Sequence, residues 1–482
     1  MGLALASLFF YPLASILDSD RYYLQWRGTD AAETFTAIAV LAVIIAGVAY
    51  ALWPRTSRAA AAGLLAISLF PMASLVAGVI RQLPFEDALR AASENQALRV
   101  GLPIAIVALS VAAFMRWPVA FNRTLRMALL AISPISLVVL YGLARSSGQP
   151  DTIVAVERPT TSGPASATCA PVFALLFDEL SFAYLYENGQ IRSAYPEIAR
   201  FGERATHYLA VRAGANETLE AVPSILAARS FGEVRVEPDG LYHRANASEA
   251  LQAYSAREPD GLFATARRLG YRTEVAGYYL AYCDMLGDLA DACRSMSFYN
   301  VGTTSDGFSP FDPIRTTFVL WPRQFPFGVV KNAFFSRFQR DLVEQAVAFA
   351  HRPVNGSRPV FRLVHFSIPH LPFVFGREGF DPPFDPLDTT GDTEYARQID
   401  YVDRLLGEFR IYLEQAGLYD RSTVILLSDH GWRFGGGNEP DPLHVPFIAR
   451  MPGQPQRVDV TDPQRGEVLL KQVLEASCPV GP

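Results

Sequence analysis

The sequence predicts two structural parts, an α-helical membrane domain of five spans followed by an α/β sandwich with a largely parallel central sheet. Half of the residues are hydrophobic, and this excess is concentrated in residues 1–145, which predicts the membrane domain. Residues 146–170 are rich in Ser, Thr, Gly and Pro, which is typical of a linker. In residues 171–482, short apolar runs alternate with amphipathic stretches, as expected of strands alternating with helices.

Five apolar runs make up the predicted membrane domain. They are 1–17, 31–53, 59–80, 100–115 and 119–144. A helix needs about 20 apolar residues to cross the hydrocarbon core of a bilayer, so the second, third and fifth runs are long enough and the other two are shorter. Two connections carry arginine but no acidic residue: the loop 54–58, and the connection between the fourth and fifth runs, to which Arg116, Arg123 and Arg126 are assigned. Placing these basic loops in the cytoplasm predicts that the domain after residue 145 lies outside it.

The four cysteines all follow the hydrophobic region, and none forms a C-x-x-C pair. Cys283 and Cys293 are close enough in sequence to close a small loop, and Cys169 and Cys478 bracket the polar domain. An even number of cysteines in an exported domain favours disulfides over zinc ligands. Four buried free thiols are the alternative.

The predicted α/β domain contains strands and helices in alternation. The strand candidates are Val172–Phe177, Thr273–Tyr278, Val360–Phe366, Thr423–Leu427 and Val445–Arg450. The helix candidates are Leu219–Arg229, Ala247–Ala256, Gly261–Leu269, Phe335–Ala350 and Asp392–Gln415. The strands at 172–177 and 423–427 are continuous apolar runs, so we expect them to be central parallel strands covered on both faces.

Polar side chains lie at the ends of these predicted strands. They are Asp178, Glu179, His365, His370, Asp429, His430 and His444. Ligands collect outside the carboxyl ends of the strands in an open α/β sheet. Carboxylates with neutral imidazoles suit zinc, or manganese if oxygen ligands predominate. Each residue alone has a structural alternative as a turn, a helix cap or a buried histidine, but their convergence favours a metal site.

Several segments resemble one enzyme family. They are VFALLFDELS (172–181), TLEAVPSIL (218–226), LVHFSIPHLP (363–372) and TVILLSDHGWRFGGG (423–437) with HVPFIARMPG (444–453). They resemble the sulfatase-like branch of the alkaline phosphatase superfamily, and most of all its membrane-anchored phosphoethanolamine transferases and lipoteichoic-acid synthases. The resemblance covers residues 171–455, and an anchor of five spans before an outer catalytic domain matches the layout of these enzymes.

The resemblance implies that Thr218 is a metal-bound nucleophile. A metal ion and a helix N-terminus both favour the anionic form of a hydroxyl that is otherwise a poor nucleophile. The alternative is that Thr218 is only the N-cap of the helix that follows. The enzymes of this family carry cysteines around their threonine, whereas residues 213–224 contain none.

The resemblance also assigns the other site residues. Asp429 and His430 resemble metal ligands, and the acidic ligand from the first strand is Asp178 or Glu179, with Asp178 favoured. Three histidines are expected at the substrate or at a second metal, and the second of them is expected to protonate the leaving group: His365, His370 and His444. The basic residue that usually follows the first acidic ligand is absent from residues 179–187.

The implied function is metal-dependent transfer of a phospho-alcohol head group, such as phosphoethanolamine or phosphoglycerol, through a covalent phospho-threonine. The donor would be a membrane lipid and the acceptor an envelope glycan or lipid, at the periplasmic or extracellular face of a bacterial inner membrane. The alternatives are a sulfatase-like hydrolase, either a phosphodiesterase or a sulfuric ester hydrolase, and a catalytically inactive binding domain. Zn²⁺ is the expected cofactor, with Mn²⁺ or Ca²⁺ as alternatives. The net charge of −6 and the lack of a basic tract argue against a nucleic-acid partner.

Overall fold

The computed structural model of the protein describes two compact units. The residues described are 2–17, 27, 29–52, scattered positions from 108 to 134, 135–146, 152–159, 169–237, 240–255 except 245 and 247, 260–297, 309–320, 328–381, 392–433 and 441–478. The helical unit comprises residues 1–19, 24–151 and 299–334. The α/β unit comprises residues 20–23, 152–298 and 335–482.

The described α-helices are numbered in chain order. They are α1 (Gly2–Leu17), α2 (Asp30–Leu52), α3 (Ile135–Ser146), α4 (Phe182–Leu185), α5 (Pro196–Gly202), α6 (Thr218–Ala227), α7 (Leu262–Arg268), α8 (Tyr282–Leu286), α9 (Phe311–Leu320), α10 (Gly328–Ala350), α11 (Asp392–Gln415) and α12 (Gly466–Ala476). Helices α1, α2, α3 and α9 pack together in the helical unit.

The strands are numbered in the same way. They are β1 (Ala155–Glu157), β2 (Val172–Asp178), β3 (Tyr186–Glu187), β4 (Gln190–Ile191), β5 (Thr206–Arg212), β6 (Glu233–Glu237), β7 (Gly240–Arg244), β8 (Gln252–Ala253), β9 (Arg272–Tyr278), β10 (Ala292–Met296), β11 (Val360–Pro369), β12 (Phe375–Gly376), β13 (Gly379–Phe380), β14 (Thr423–Ser428), β15 (His444–Arg450), β16 (Val458–Val460) and β17 (Gln464–Arg465).

One segment of the described helices is long and apolar enough to cross a membrane. It is Asp30–Gly47 in α2, near the N-terminus. The apolar run at 59–80 and most of the run at 100–115 lie outside the described residues. The described part of the chain therefore provides one candidate membrane helix, and the five-span domain stays a prediction.

The large sheet of the α/β unit is mostly parallel. Its strand order is β1-β10-β9-β11-β2-β14-β15-β5-β16, and β17 also pairs with β5. The five strands from β10 to β14 run parallel, whereas β15 is antiparallel to both of its neighbours. The strand candidates at 172–177 and 423–427 are adjacent parallel strands at the centre of the sheet, as their continuous apolar sequences predict. The prediction of an α/β sandwich with a largely parallel sheet is confirmed.

Helices cover both faces of this sheet because alternate residues of the central strands point to opposite faces. On β2, Phe173, Leu175 and Phe177 join a buried cluster with residues of α5, α10 and α11. Val172, Ala174 and Leu176 join a second cluster with residues of α6, α7 and α12. The result is a three-layer structure. The side chains within the central strands are used in packing, so the polar residues at the strand ends are available to form a site.

The predicted helix at 247–256 is wrong. Residues 252 and 253 instead form β8, which pairs with β7 in a small three-stranded sheet. The side chain of Asn246 accepts a hydrogen bond from the Ser248 backbone N–H at 3.1 Å, which turns the chain. The Tyr254 N–H then donates to the Leu241 carbonyl at 2.7 Å. Pairing with an available strand edge satisfies this backbone better than an isolated short helix would.

The cysteines form two disulfides, Cys169–Cys478 and Cys283–Cys293. The first joins the segment just before β2 to the segment just after α12, where the Ala170 N–H also donates to the Ser477 carbonyl at 2.9 Å. The second joins α8 to β10. Both pairings agree with the predicted ones, and the alternative of four free thiols is wrong.

Candidate active site

The carboxyl ends of β2 and β14 bring two acidic residues and a histidine together. Asp178 is the last residue of β2, and Asp429 and His430 directly follow β14. Phe177 and Ser428 are in register on these parallel neighbours, so the residues that follow them share one edge of the sheet. The ligand atoms of Asp178, Asp429 and His430 lie within 4.8 Å of one another, and all three side chains are buried.

The contacts of Asp429 fit a cation. Its Oδ1 accepts backbone N–H groups from Glu179 at 3.1 Å and from His430 at 2.8 Å. Its Oδ2 has no hydrogen-bond partner among the described residues, and it lies 3.5 Å from His430 Nε2. Buried ionised carboxylates are costly unless they are paired or coordinate a metal. A divalent cation bound by these three side chains would satisfy the unpaired oxygen.

His430 is held in the form that binds a metal. Its Nδ1 lies 3.0 Å from the Gly431 carbonyl oxygen, which can only accept, so Nδ1 carries the proton and the Nε2 lone pair is directed at the cluster. Burial lowers the pKa of His430 to about 3, although the Asp178 charge raises it. A neutral imidazole whose other nitrogen donates to a carbonyl is the usual arrangement of a metal-binding histidine.

Thr218 is in contact with the same cluster. It is the first residue of α6, and its Oγ1 lies 3.3 Å from Asp178 Oδ1 and 3.3 Å from His430 Nε2. The N-cap position is occupied by Glu217, so the alternative role of Thr218 as the N-cap is wrong. The start of a helix carries partial positive charge, which favours an anionic oxygen at this position.

Glu179 lies beside the cluster but is not part of it. Its backbone has a φ of +70°, in the left-handed region, which turns the chain at the end of β2. Its Oε1 accepts a hydrogen bond from Arg433 Nε at 2.7 Å. Burial raises the pKa of Glu179 to about 7, against the lowering effects of His370 and Arg433. Of the two acidic candidates, Asp178 is therefore the one whose carboxylate belongs to the three-residue cluster.

Arg433 is a candidate site residue that sequence reasoning missed. The resemblance places the basic residue just after the first acidic residue, where residues 179–187 have none. The cation beside Glu179 comes instead from the loop after β14, four residues beyond Asp429. Its place in the same loop as Asp429 is the sequence signal that points to it, because residues after adjacent strands share one edge of the sheet.

His365 and His370 flank the cluster from β11 and its end. The Nδ1 of His365 lies 2.7 Å from the Tyr282 hydroxyl, and its Nε2 is buried without a hydrogen-bond partner among the described residues. The His370 N–H donates to the Asp178 carbonyl at 3.1 Å. Burial lowers the pKa of His370, but the charges of Asp178 and Glu179 outweigh it and raise the pKa above its ordinary value. His370 is thus suited to carry a proton beside the cluster.

His444 makes its described contacts with residues outside the three-residue cluster. Its Nε2 lies 2.9 Å from the Leu209 carbonyl oxygen, and its ring stacks on Phe182 with a centroid separation of 3.9 Å. The three-residue cluster does not include it. Its predicted role at a substrate or second metal stays a prediction.

Tyr278, at the end of β9, contributes a hydrogen-bond donor to the cluster. The Tyr278 hydroxyl donates to Asp178 Oδ2. Burial and the Asp178 charge raise the pKa of Tyr278, so this hydroxyl stays protonated and acts as a donor. Tyr278 is the last residue of β9, and the same strand-end rule that identified Asp178 also applies to it.

In this three-layer α/β domain, two carboxylates and a neutral histidine meet at the strand ends, and a buried threonine contacts them from the start of a helix. This arrangement is typical of a metal-dependent enzyme. Residues 172–473, more than half of the chain, match the family model described as Sulfatase. The chain belongs to this family. It is therefore an enzyme, either an ester hydrolase or a phosphotransferase.

Several solved structures are similar to this chain. The phosphonate monoester hydrolase of Agrobacterium radiobacter is 16% identical, with 64% of this chain and 73% of that chain covered and a TM-score of 0.41. An alkaline phosphatase superfamily protein from Vibrio parahaemolyticus is 15% identical, with 69% and 73% covered and a TM-score of 0.40. A sulfatase from Pseudoalteromonas is 13% identical, with 65% and 68% covered and a TM-score of 0.41. No curated protein sequence matches the chain.

Proposed function

We propose that the protein transfers a phospho-alcohol head group from a membrane lipid to an envelope glycan or lipid through a phospho-Thr218 intermediate. The observation that carries this proposal is the position of the Thr218 hydroxyl, 3.3 Å from both Asp178 and His430 at the start of α6. A buried hydroxyl beside two carboxylates and a neutral imidazole has the surroundings of an activated nucleophile. The proposed location is the outer face of a bacterial inner membrane, with five membrane spans.

A divalent cation fits the cluster of Asp178, Asp429 and His430, with Thr218 as a further oxygen ligand. Mixed nitrogen and oxygen donors suit Zn²⁺ best, with Mn²⁺ or Ca²⁺ as alternatives. When bound, the cation would lower the pKa of the hydroxyl and stabilise charge on the transferred group. Asp429 Oδ2, which is buried without a hydrogen-bond partner among the described residues, supports its role as a ligand.

The reaction has two balanced steps. In the first, Thr218 Oγ forms a bond to phosphorus and releases its proton to solvent, the bond from phosphorus to the diacylglycerol oxygen breaks, and protonated His370 donates its proton to that oxygen. In the second, an acceptor hydroxyl forms a bond to phosphorus and gives its proton to His370, the bond to Thr218 breaks, and the threonine oxygen takes a proton from solvent. The raised pKa of His370 supports its role as the proton carrier.

Two features favour phosphoryl transfer over sulfate ester hydrolysis. The nucleophile position holds threonine, and no C-x-P-S-R or S-x-P-S-R sequence from which a formylglycine could be made occurs in the chain. The apolar segment Asp30–Gly47 supports a membrane location, where a lipid donor is available. The second candidate function is a phosphodiesterase, in which water replaces the acceptor.

The decisive experiment is intact-mass analysis of the full-length protein after incubation with phosphatidylethanolamine or phosphatidylglycerol vesicles. We expect a phospho-alcohol adduct on the wild type, none on Thr218→Ala, and a reduced amount on Thr218→Ser, which keeps a hydroxyl. Ser224→Ala is the matched control, because it removes a buried hydroxyl two turns along the same helix. An equal adduct on wild type and Thr218→Ala would show that Thr218 is not the nucleophile.

Product analysis separates the candidate functions. Diacylglycerol release that depends on an added acceptor indicates a transferase, whereas release of free phospho-alcohol without an acceptor indicates a phosphodiesterase. Turnover of p-nitrophenyl sulfate but not of bis-p-nitrophenyl phosphate would overturn the phosphoryl assignment. A folded protein that binds no stoichiometric metal and forms no product would support an inactive binding domain.

A further inference from the structure

The α/β unit contains two buried tyrosine–histidine pairs with the same contact. The hydroxyl of Tyr186 lies 2.7 Å from His207 Nδ1, and the hydroxyl of Tyr282 lies 2.7 Å from His365 Nδ1. In the first pair, His207 Nε2 lies 3.0 Å from the Gly202 carbonyl oxygen, which can only accept. His207 Nε2 therefore carries the proton, and Nδ1 accepts from the tyrosine.

The second pair differs in what its Nε2 contacts. His365 is fully buried, and its Nε2 has no hydrogen-bond partner among the described residues. His365 is in register with Leu176 of β2, two residues before Asp178, so its side chain lies on the same face of the sheet as Asp178. Asp429 and Asp178 are the acidic charges that act on it. The unsatisfied nitrogen thus belongs to the candidate active site.

Tyr282 is held firmly beside His365. It is the first residue of α8 and is fully buried. A Cβ at Gly277 would collide with the Tyr282 ring, so only glycine leaves room for the ring against β9. The next residue, Cys283, donates its N–H to Ser295 Oγ at 2.9 Å and forms the disulfide with Cys293 on β10. These contacts fix the hydroxyl at His365 Nδ1.

We propose that Tyr282 is a positioning residue that donates to His365 Nδ1, so that His365 Nε2–H donates to a non-bridging phosphoryl oxygen of the substrate. This inference deepens the proposed function and rests on it. Two of the buried groups without a hydrogen-bond partner among the described residues of the site are complementary, an acceptor at Asp429 Oδ2 that suits a cation and a donor at His365 Nε2 that suits an anionic oxygen. The opposite tautomer, with the Nε2 lone pair free, would make His365 a ligand of a second metal instead.

The test measures binding of inorganic phosphate to the metal-loaded, full-length protein by calorimetry, together with metal content by elemental analysis. Tyr282→Phe removes the hydroxyl that sets the tautomer. We expect the affinity for phosphate to fall about tenfold, as for loss of a hydrogen bond to a charged group, with metal content unchanged. Tyr186→Phe is the matched control and is expected to leave phosphate affinity unchanged, since both nitrogens of His207 are engaged within the protein.

A second pair of variants keeps the proposal testable if Tyr282→Phe fails to fold. His365→Gln retains an N–H donor near the position of Nε2, so we expect it to bind phosphate more tightly than His365→Leu. Loss of one metal equivalent in both variants would overturn the proposal in favour of a second metal ligand, and so would unchanged phosphate affinity in folded His365→Leu. Binding of inorganic phosphate does not require Thr218 to form a covalent bond. Absence of the phospho-Thr218 adduct would therefore overturn the proposed function, whereas the contact between His365 and phosphate would still be tested by calorimetry.

Discussion

Three histidines of the α/β unit differ in the groups that their ring nitrogens contact. The Gly431 carbonyl fixes the proton of His430 on Nδ1 and leaves Nε2 as a ligand. In the proposed arrangement the Tyr282 hydroxyl donates to His365 Nδ1 and leaves the proton of His365 on Nε2. His207 has partners at both nitrogens and is structural. The same residue type thus serves as ligand, donor or packing group, and the choice depends on one contact.

His207 predicts a loss of stability in acid. Burial lowers its pKa to about 4, against the raising effect of the Gly202 carbonyl. The unfolded chain binds the proton below about pH 6.5, so between pH 6.5 and 4 it holds more protons than the folded state. Stability contributed by neutral His207 is therefore complete above pH 6.5 and falls by about 3 kcal/mol as the pH drops to 4.

The measurement is urea unfolding of the wild type and of His207→Gln at pH 7.5, 5.5 and 4.5. Since glutamine does not titrate, we expect the variant to lose less stability than the wild type on acidification, whatever its stability at pH 7.5. Equal losses in the two proteins would contradict the assigned pKa. All other titrating groups are common to both proteins and cancel in the comparison.

Sequence identified the residues whose position depends on one strand and missed those whose position depends on several. Asp178 and Asp429 follow continuous apolar runs, so the strand-end rule was enough to predict that they meet. Thr218 was recognised by its resemblance to a family motif. The proximity of Tyr282 to His365 depends instead on the register of β9 and β11, a glycine and a disulfide, and no local pattern encodes that combination.

At the scale of elements, a buried arginine connects two strands and a helix. Arg362 on β11 is in register with Glu274 on β9, and its Nε lies 2.7 Å from the glutamate Oε2. Its Nη1 donates to the carbonyls of Ala350 and Arg352 at the end of α10, both at 2.7 Å. An arginine that satisfies the last carbonyls of a helix stabilises that helix end. The contact therefore fixes α10 against the sheet.

Substitution of Arg362 is predicted to lower the free energy of unfolding. Arg362→Met would leave Glu274 with reduced compensation in the core and the α10 carbonyls without a donor, so we expect a loss of about 3 kcal/mol or more. Arg404→Met is the control, because the Arg404–Glu408 pair at 2.8 Å is well exposed and should contribute less than about 1 kcal/mol. Urea unfolding measures both. Similar small losses in the two variants would show that the buried contact does not stabilise the sheet.

The helices and strands likewise differ in whether the sequence predicts them. The buried central strands and the long helix Asp392–Gln415 were predicted from apolar periodicity because packing on the sheet demands it. The small sheet of β6, β7 and β8 was missed, and residues 247–256 were assigned a helix. This sheet is exposed on its edge strand, so its residues carry little apolar pattern, and pairing between strands decides its structure.

On the scale of the whole molecule, the chain combines an apolar helix near its N-terminus with a family catalytic domain that contains two disulfides. Disulfides persist in oxidising compartments and are rare in the cytosol. Their pairing therefore supports the proposed placement of the α/β unit outside the cytoplasm. The described residues contain one candidate membrane helix, so the number of spans stays a prediction.

The two disulfides are predicted to contribute unequally to stability. Cys169–Cys478 closes a loop of 309 residues, whereas Cys283–Cys293 closes one of 10. The chain-entropy relation gives about 6 kcal/mol for the long loop and about 3 kcal/mol for the short one. We therefore expect the double variant Cys169→Ser with Cys478→Ser to lower the unfolding midpoint of the α/β unit more than Cys283→Ser with Cys293→Ser.

Urea unfolding followed by tryptophan fluorescence measures this difference, and thiol titration of the unfolded, unreduced wild type checks the pairing. We expect no free thiol in the wild type or in either double variant, because each double variant replaces both partners of one disulfide and leaves the other disulfide intact. The single variant Cys478→Ser is the sharper control, because it should expose one thiol, from Cys169, and no other. Four free thiols in the wild type would remove both the stability argument and the support that the disulfides lend to an oxidising compartment. A larger loss on removing the short loop would instead show that Cys283–Cys293 stabilises the folded α8 region around Tyr282 more than it restricts the unfolded chain.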